Sequence, residues 1–115
     1  MEKVLLNGRA AHPGKIRGKV RIIQDKPGDD AMLKALSEVC SGEILVTQMT
    51  RPLFVAVMHK VAGIITDHGG VLCHAAMVAR EFKIPCIVGT KDGTKILKTG
   101  QEVIVDAENG IIYQA

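Results

Sequence analysis

An α/β fold, with parallel strands in its middle and antiparallel strands at both ends, is what this chain of 115 residues predicts. Three observations carry that expectation. Hydrophobic residues make up 47% of the chain and aromatics only 3%. The core is therefore Val, Ile, Leu and Ala, and β-branched runs of that kind suit strands buried on both faces. Apolar segments then alternate with helix-start signals through the middle of the chain, the rhythm of parallel strands joined by right-handed crossovers. Finally, Asn109-Gly110 between two apolar runs is a hairpin signal. No linker, internal repeat or low-complexity tract interrupts the chain, and its length suits one domain over 1–115.

Taken in order, residues 3–6 and 17–23 read as strands, the second alternating basic with apolar positions. Ala11-His12-Pro13-Gly14 reads as the turn between them. Pro27-Gly28-Asp29-Asp30 opens a helix reaching about Val39, its aspartates well placed in the first turn, and Gly42 closes that segment. Residues 43–47 form a buried strand. Thr50-Arg51-Pro52 offers a capping residue and an early proline, so a short helix runs to about Lys60. Residues 61–66 make the next strand, followed by the Gly69-Gly70 turn and a helix from about His74 to Lys83. Ile84-Pro85 stops it, because a residue before proline avoids the helical region. Residues 86–88 are a further strand, and residues 102–105 and 111–113 form the closing hairpin.

Composition excludes several function classes. The 15 Lys and Arg are scattered, the net charge is +3, and one Tyr, two Phe and no Trp leave almost no platform for bases, so nucleic acid is not an expected partner. Cys40, Cys73 and Cys86 are odd in number without CxxC spacing, which points to a reducing, cytoplasmic location. Cys40 and Cys86 are expected as small buried hydrophobes. The start lacks a signal-peptide core, and no apolar run nears the roughly 20 residues that cross a bilayer, so no membrane is expected either. A metal site of His68, Cys73 and Cys86 lacks the paired spacing of known ligand sets, and none is expected.

The chemistry concentrates in Gly69-Gly70-Val71-Leu72-Cys73-His74-Ala75-Ala76-Met77-Val78-Ala79-Arg80. A histidine at a helix N-terminus has unpartnered backbone N–H groups and the positive end of the dipole beside it, an environment for an anion such as a phosphoryl group on the ring. A free imidazole titrates near about 6.5 and is largely neutral, hence nucleophilic, at pH 7. Gly69, Gly70 and the helical N–H groups starting at Ala75 can cradle phosphoryl oxygens, glycine permitting close approach. The bland alternative is a plain turn and a capping histidine. Asp67 can hold the turn through backbone bonds, and His68 can line it or be solvated. Thr50 and Arg51 can join the site or merely cap their helix. His12 and His59 are expected on the surface. Ala75, Ala76 and Ala79 are small for helix packing. Arg80, six residues past His74, lies about 240° round the helix, so it suits a structural or partner contact as well as phosphate.

The string from Gly69 to Arg80, followed by Glu-Phe-Lys-Ile-Pro-Cys-Ile-Val-Gly, resembles the phosphohistidine signature of the phosphoenolpyruvate-utilising enzymes, which include phosphoenolpyruvate synthase, pyruvate phosphate dikinase and enzyme I of the sugar phosphotransferase system. Ala11-His12-Pro13-Gly14 with Gly18-Lys19-Val20-Arg21, Thr50-x-Pro52, Thr66-Asp67 and residues 100–106 extend the similarity over nearly the whole chain. The resemblance implies a swivelling β/β/α domain of three layers, with a central mainly parallel sheet and a second antiparallel one. It implies that His74 is phosphorylated through the ring nitrogen remote from the backbone. Thr50, Thr66, Asp67, Cys73 and Arg80 are the candidates to support it. The implied partners, in cis or in trans, are an ATP-grasp nucleotide-binding domain and a phosphoenolpyruvate-binding barrel. Neither fits within 115 residues, and magnesium and ATP would belong to them, with no cofactor on this domain. One departure stands out: many relatives carry Thr-Ser before the histidine, whereas this chain has Leu72-Cys73. A hydroxyl is missing at 72, and control by phosphorylating it is impossible. The alternatives are a swivelling interaction domain without phosphotransfer, or a small lyase subunit on the same fold.

Overall fold

The structure, a computed structural model, describes residues 3–115. Eight strands alternate with short helices: β1 (Val4–Asn7), β2 (Arg9–His12), β3 (Lys15–Ile23), α1 (Asp29–Leu36), β4 (Ile44–Thr47), a 3₁₀ helix (Pro52–Val57), β5 (Gly63–Thr66), α2 (His74–Phe82), β6 (Cys86–Val88), α3 (Gly93–Ile96), β7 (Glu102–Asp106) and β8 (Ile111–Gln114). The strand order is β1-β8-β7-β3-β4-β5-β6-β2. β3, β4, β5 and β6 run parallel, and every other pairing is antiparallel. The mixed α/β class is thus as expected.

The nine-residue β3 links the two halves. Its first five residues pair with β7, and its last four pair with β4. Hydrogen bonding therefore runs unbroken from the antiparallel half into the parallel half. The parallel strands bury both faces, which is why they read as continuous apolar runs. Leu45, Ile64, Cys86 and Val88 face the helices, packing with Met32, Leu36, Phe54, Val57, Ala75 and Ala79. Ile44, Val46, Ile65 and Ile87 face the other way, onto Val103, Val105, Ile112 and Leu6. Helices, parallel strands and antiparallel strands are thus three layers around two cores. Each fully buried Leu, Ile or Phe stabilises by about 1.5–3 kcal/mol.

Several elements differ from the sequence expectation. Ala11 and His12 belong to β2, so the turn is Pro13-Gly14 alone. β1 and β2 sit at opposite ends of the strand order yet are joined by Gly8 alone, so the sheet curls until its two edges nearly meet. That curling covers edges that would otherwise invite pairing. α1 ends at Leu36 and not Val39, leaving Cys40 in an exposed turn and not in the core. The segment after Thr50 is a 3₁₀ helix whose N-cap is Arg51. Thr50 does not cap it. His12 is half-buried, with Nδ1 enclosed and unpartnered, whereas a surface position was expected; His59 is exposed as expected. Among the described residues no helix is long and apolar enough to cross a membrane.

Candidate functional site

β4 and β5 are neighbours in register, Thr47 beside Thr66. The ladder continues one step past the strands, where Asp67 N–H donates to Thr47 O (3.1 Å) and His68 N–H to Gln48 O (3.1 Å). The two loops leaving this carboxyl edge therefore run side by side, at the edge where open α/β sheets bind ligands. The first carries Met49 and Thr50, the second carries the glycine turn and then α2. His74 is the first residue of α2, with Cys73 as its N-cap.

That geometry brings Thr50 to His74 across 24 positions of sequence: Thr50 Oγ1 and His74 Nδ1 lie 2.7 Å apart in a hydrogen bond. Thr50 is only 3% exposed, so its hydroxyl is a fixed partner, while the imidazole is half-buried. Nδ1 is thus engaged, while Nε2, the nitrogen remote from the backbone, makes no hydrogen bond among the described residues. The first helical N–H groups, including that of Ala75, have no acceptor one turn back in a helix that starts at His74. The Gly69 and Gly70 N–H groups make no hydrogen bond among the described residues.

Gly69 has φ +108°, and a Cβ there would lie 2.6 Å from Met49 Cε and 2.8 Å from Cys73 Sγ. Only glycine fits. Cys73 thus flanks the turn by packing, without capping α2 through its side chain. Thr66 Oγ1 donates to His68 O (2.6 Å), bracing the start of the turn. Asp67 is buried and holds α3, not its own turn: Oδ1 accepts from Thr94 N–H (2.9 Å) and Oδ2 from Thr94 Oγ1. Arg80 donates to Val71 O, so its guanidinium ties α2 back to the loop before it. That is the structural reading of Arg80. His68 is exposed beside the turn. Arg51 reaches away, its Nη2 donating to Lys26 O (3.3 Å).

Leu72, the departure in the signature, is 81% exposed. The hydroxyl partner of the imidazole comes from Thr50 on the neighbouring loop, so the ring bond does not need one at position 72. Val71 and Met77 are also exposed beside His74 in sequence, giving the site an apolar rim. Cys86 is fully buried, and burial pushes its thiol up to about 12, with Cys73 adding and Arg80 opposing. Such a thiol is inert as a nucleophile or ligand. No group of three or more His, Cys, Asp or Glu able to hold a metal occurs among the described residues. The sequence reading missed Gly89, Thr90 and Thr94; their signal was their place after the apolar strand of residues 86–88, at the same carboxyl edge.

Residues 39–110 match the PEP-utilising enzyme, mobile domain family. The chain is 48% identical over 112 residues to a probable phosphoenolpyruvate synthase of Archaeoglobus fulgidus, covering 97% of this chain and 14% of that protein. The chain thus spans about one seventh of that relative's length. A solution structure of an Enzyme I protein superposes with a TM-score of 0.58 at 30% identity, over 72% of this chain and 38% of that one. The holo-form of Thermococcus kodakaraensis aconitase X, at 23% identity, shares the fold with a TM-score of 0.70 over 96% of this chain and 97% of that one. With most of its length inside the family match, the chain belongs to the mobile-domain family of the PEP-utilising enzymes.

Proposed function

We propose that this chain is the phosphoryl-carrying mobile domain of a phosphoenolpyruvate synthase-like enzyme and that His74 Nε2 is the carrier atom. The observation that carries the reading is the 2.7 Å bond between Thr50 Oγ1 and His74 Nδ1. In the reactive tautomer Nδ1–H donates to Thr50 Oγ1, and Nε2 keeps its lone pair. Nε2 attacks phosphorus in line. The N–P bond forms as the donor P–O bond breaks, and the electron pair leaves on the donor oxygen, as the enolate of pyruvate when phosphoenolpyruvate is the donor. The ring becomes a phosphorylated imidazolium whose Nδ1–H still donates to Thr50 Oγ1. The N–H groups of Gly69, Gly70 and Ala75 are available to the phosphoryl oxygens, reinforced by the α2 dipole.

Transfer onward requires a second site. The mobile-domain family and the one-seventh span of the relative support an acceptor and a donor on separate partner domains. In this reading these are a nucleotide-binding domain of ATP-grasp type and a phosphoenolpyruvate-binding barrel, in cis or in trans, within the cytoplasm. Magnesium and ATP reside on them, and the chemistry they supply is activation of the nucleotide phosphates. The rim of Val71, Leu72 and Met77 gives those domains an apolar surface to close upon, excluding water from the transfer.

The test is to incubate the chain with phosphoenolpyruvate labelled in the phosphoryl group and the barrel domain of a related synthase. Acid-labile, alkali-stable label that disappears in His74→Ala is the expected result. No label, under conditions where the barrel labels its own mobile domain, would leave an interaction domain without phosphotransfer.

A further inference from the structure

We propose that the segment from Gly89 to Thr94 is the positioning element of the phosphoryl cradle, holding the glycine turn at the height at which its N–H groups meet a phosphoryl group on His74. The inference rests on the carrier reading of His74. Five donors from this segment converge on Thr66 and Asp67, the two residues that lead from β5 into the turn. Thr90 N–H and Thr90 Oγ1 both donate to Thr66 O, at 3.1 and 3.0 Å. Lys91 N–H donates to Asp67 O at 2.8 Å. Thr94 N–H and Thr94 Oγ1 donate to the two carboxylate oxygens of Asp67. Gly89, with φ +68°, lies so close that a Cβ there would sit 2.9 Å from Gly69 O. Residues 66 and 67 are thus held by hydrogen bonds from one segment, and Gly89 packs against Gly69 O just before Gly70.

Two features set these contacts apart from ordinary packing. None belongs to the register of β5 with β6, which ends at Ile65 and Ile87, so forming the sheet does not require them. Lys91 also adopts φ +72°, a left-handed conformation costing a non-glycine residue about 1 kcal/mol, and its N–H is the one bonded to Asp67 O. The need for such bracing follows from the turn itself. Two consecutive glycines permit many conformations, whereas donors aimed at a developing charge contribute most when fixed beforehand. Thr94 is the residue to perturb, because among the described residues its hydroxyl is the one side-chain donor on the buried Asp67 carboxylate.

Thr94→Val in the whole chain removes that donor at nearly constant volume. The probe is potassium phosphoramidate, a small phosphoryl donor that needs no partner domain. Its N–P bond breaks as the Nε2–P bond forms, ammonia leaves with the electron pair, and the Nδ1 proton stays in place. Formation and decay of phosphohistidine are followed by phosphorus NMR, and the Gly69 and Gly70 amides by nitrogen–proton correlation in the unphosphorylated chain. Thr94→Val should form phosphohistidine about tenfold more slowly, within the range for a displaced positioning group, and should shift both glycine amides. Thr94→Ser should restore both. A Thr94→Val chain that melts lower but keeps the parent rate, half-life and glycine shifts would reduce the segment to a structural role and overturn the proposal. A parent chain that takes no label on His74, although native by the same spectra, would instead overturn the carrier reading and this inference with it. Should Thr94→Val fail to fold, Thr90→Val is judged by the same outcomes, since it keeps the Thr90 N–H bond to Thr66 O.

Discussion

Thr50→Val tests the bond on which the site turns. Valine matches threonine in shape, so the buried position stays filled and only the hydroxyl is lost. The partner left behind is His74 Nδ1, previously bonded at 2.7 Å and half-buried. An orphaned polar group of that kind costs about 1–3 kcal/mol. If the bond fixes the reactive tautomer, that cost falls on the transition state and converts to roughly 5- to 150-fold in rate. The assay is single-turnover phosphorylation of the chain at saturating donor, with the His74 ring nitrogens observed in parallel. The expected result is a slower transfer step at unchanged donor affinity, loss of the fixed protonation pattern of the two ring nitrogens, and recovery in Thr50→Ser. Thr50→Val reacting at the parent rate, with ring signals unmoved, would refute the reasoning and make the contact incidental.

Three further outcomes follow from particular residues. The Glu43 carboxyl is pushed up by burial, but the Arg21 hydrogen bonds (both 3.0 Å), the Cys40 N–H and the Arg21 charge outweigh that and hold it below its ordinary 4.5. A carboxylate lowered on folding contributes stability above its unfolded value, and that contribution fades as pH falls through the folded value. Glu43→Gln should therefore melt lower at pH 7 by a margin reflecting about 2 kcal/mol, with the gap closing below pH 4.5; an equal gap at pH 7 and in acid would sink this. Gly69→Ala places a Cβ at φ +108° and within 2.6 Å of Met49 Cε, so it should cost about 2 kcal/mol and slow phosphorylation. Gly70→Ala, whose Cβ meets nothing within 4 Å, should keep the parent melting temperature.

What could be read in advance follows from where each cause resides. Residues 44–47, 63–66 and 86–88 were legible as strands because burial on both faces makes them apolar throughout. The glycine turn and His74 were legible because a helix N-terminus is a local event. β2 was not, since its partner β6 lies more than 70 residues away and Gly8, joining two strands at opposite edges, gives no sign of it. Thr50 had the local profile of a cap. Its role appears only when parallel pairing of β4 and β5 sets its loop beside the turn. Gly89, Thr90 and Thr94 had only their place after the strand of residues 86–88 as a signal, because what they touch lies 20 or more positions back in sequence.

Leu72 can be understood from the same division. A hydroxyl beside the carrier histidine would look indispensable if it alone fixed the ring. Here the ring is fixed from the β4 loop, by a residue 3% exposed, while position 72 projects outward at 81% exposure. The two demands on this turn are therefore carried by different residues. In the proposed reading, orientation of His74 rests on Thr50 and the shape of the glycine turn on the bracing behind it, so a change at either is felt in the chemistry. In the same reading, contact with a partner domain that closes over the site rests on Leu72 and its apolar neighbours, where burying one leucine contributes about 1.5–3 kcal/mol to docking. Substitution at 72 can thus alter which partner surface the domain favours, and how long it stays, while the Thr50–His74 bond is untouched. A hydroxyl at 72 would add a polar group to that rim and weaken an apolar closure, so its absence suits a domain whose docking relies on exclusion of water.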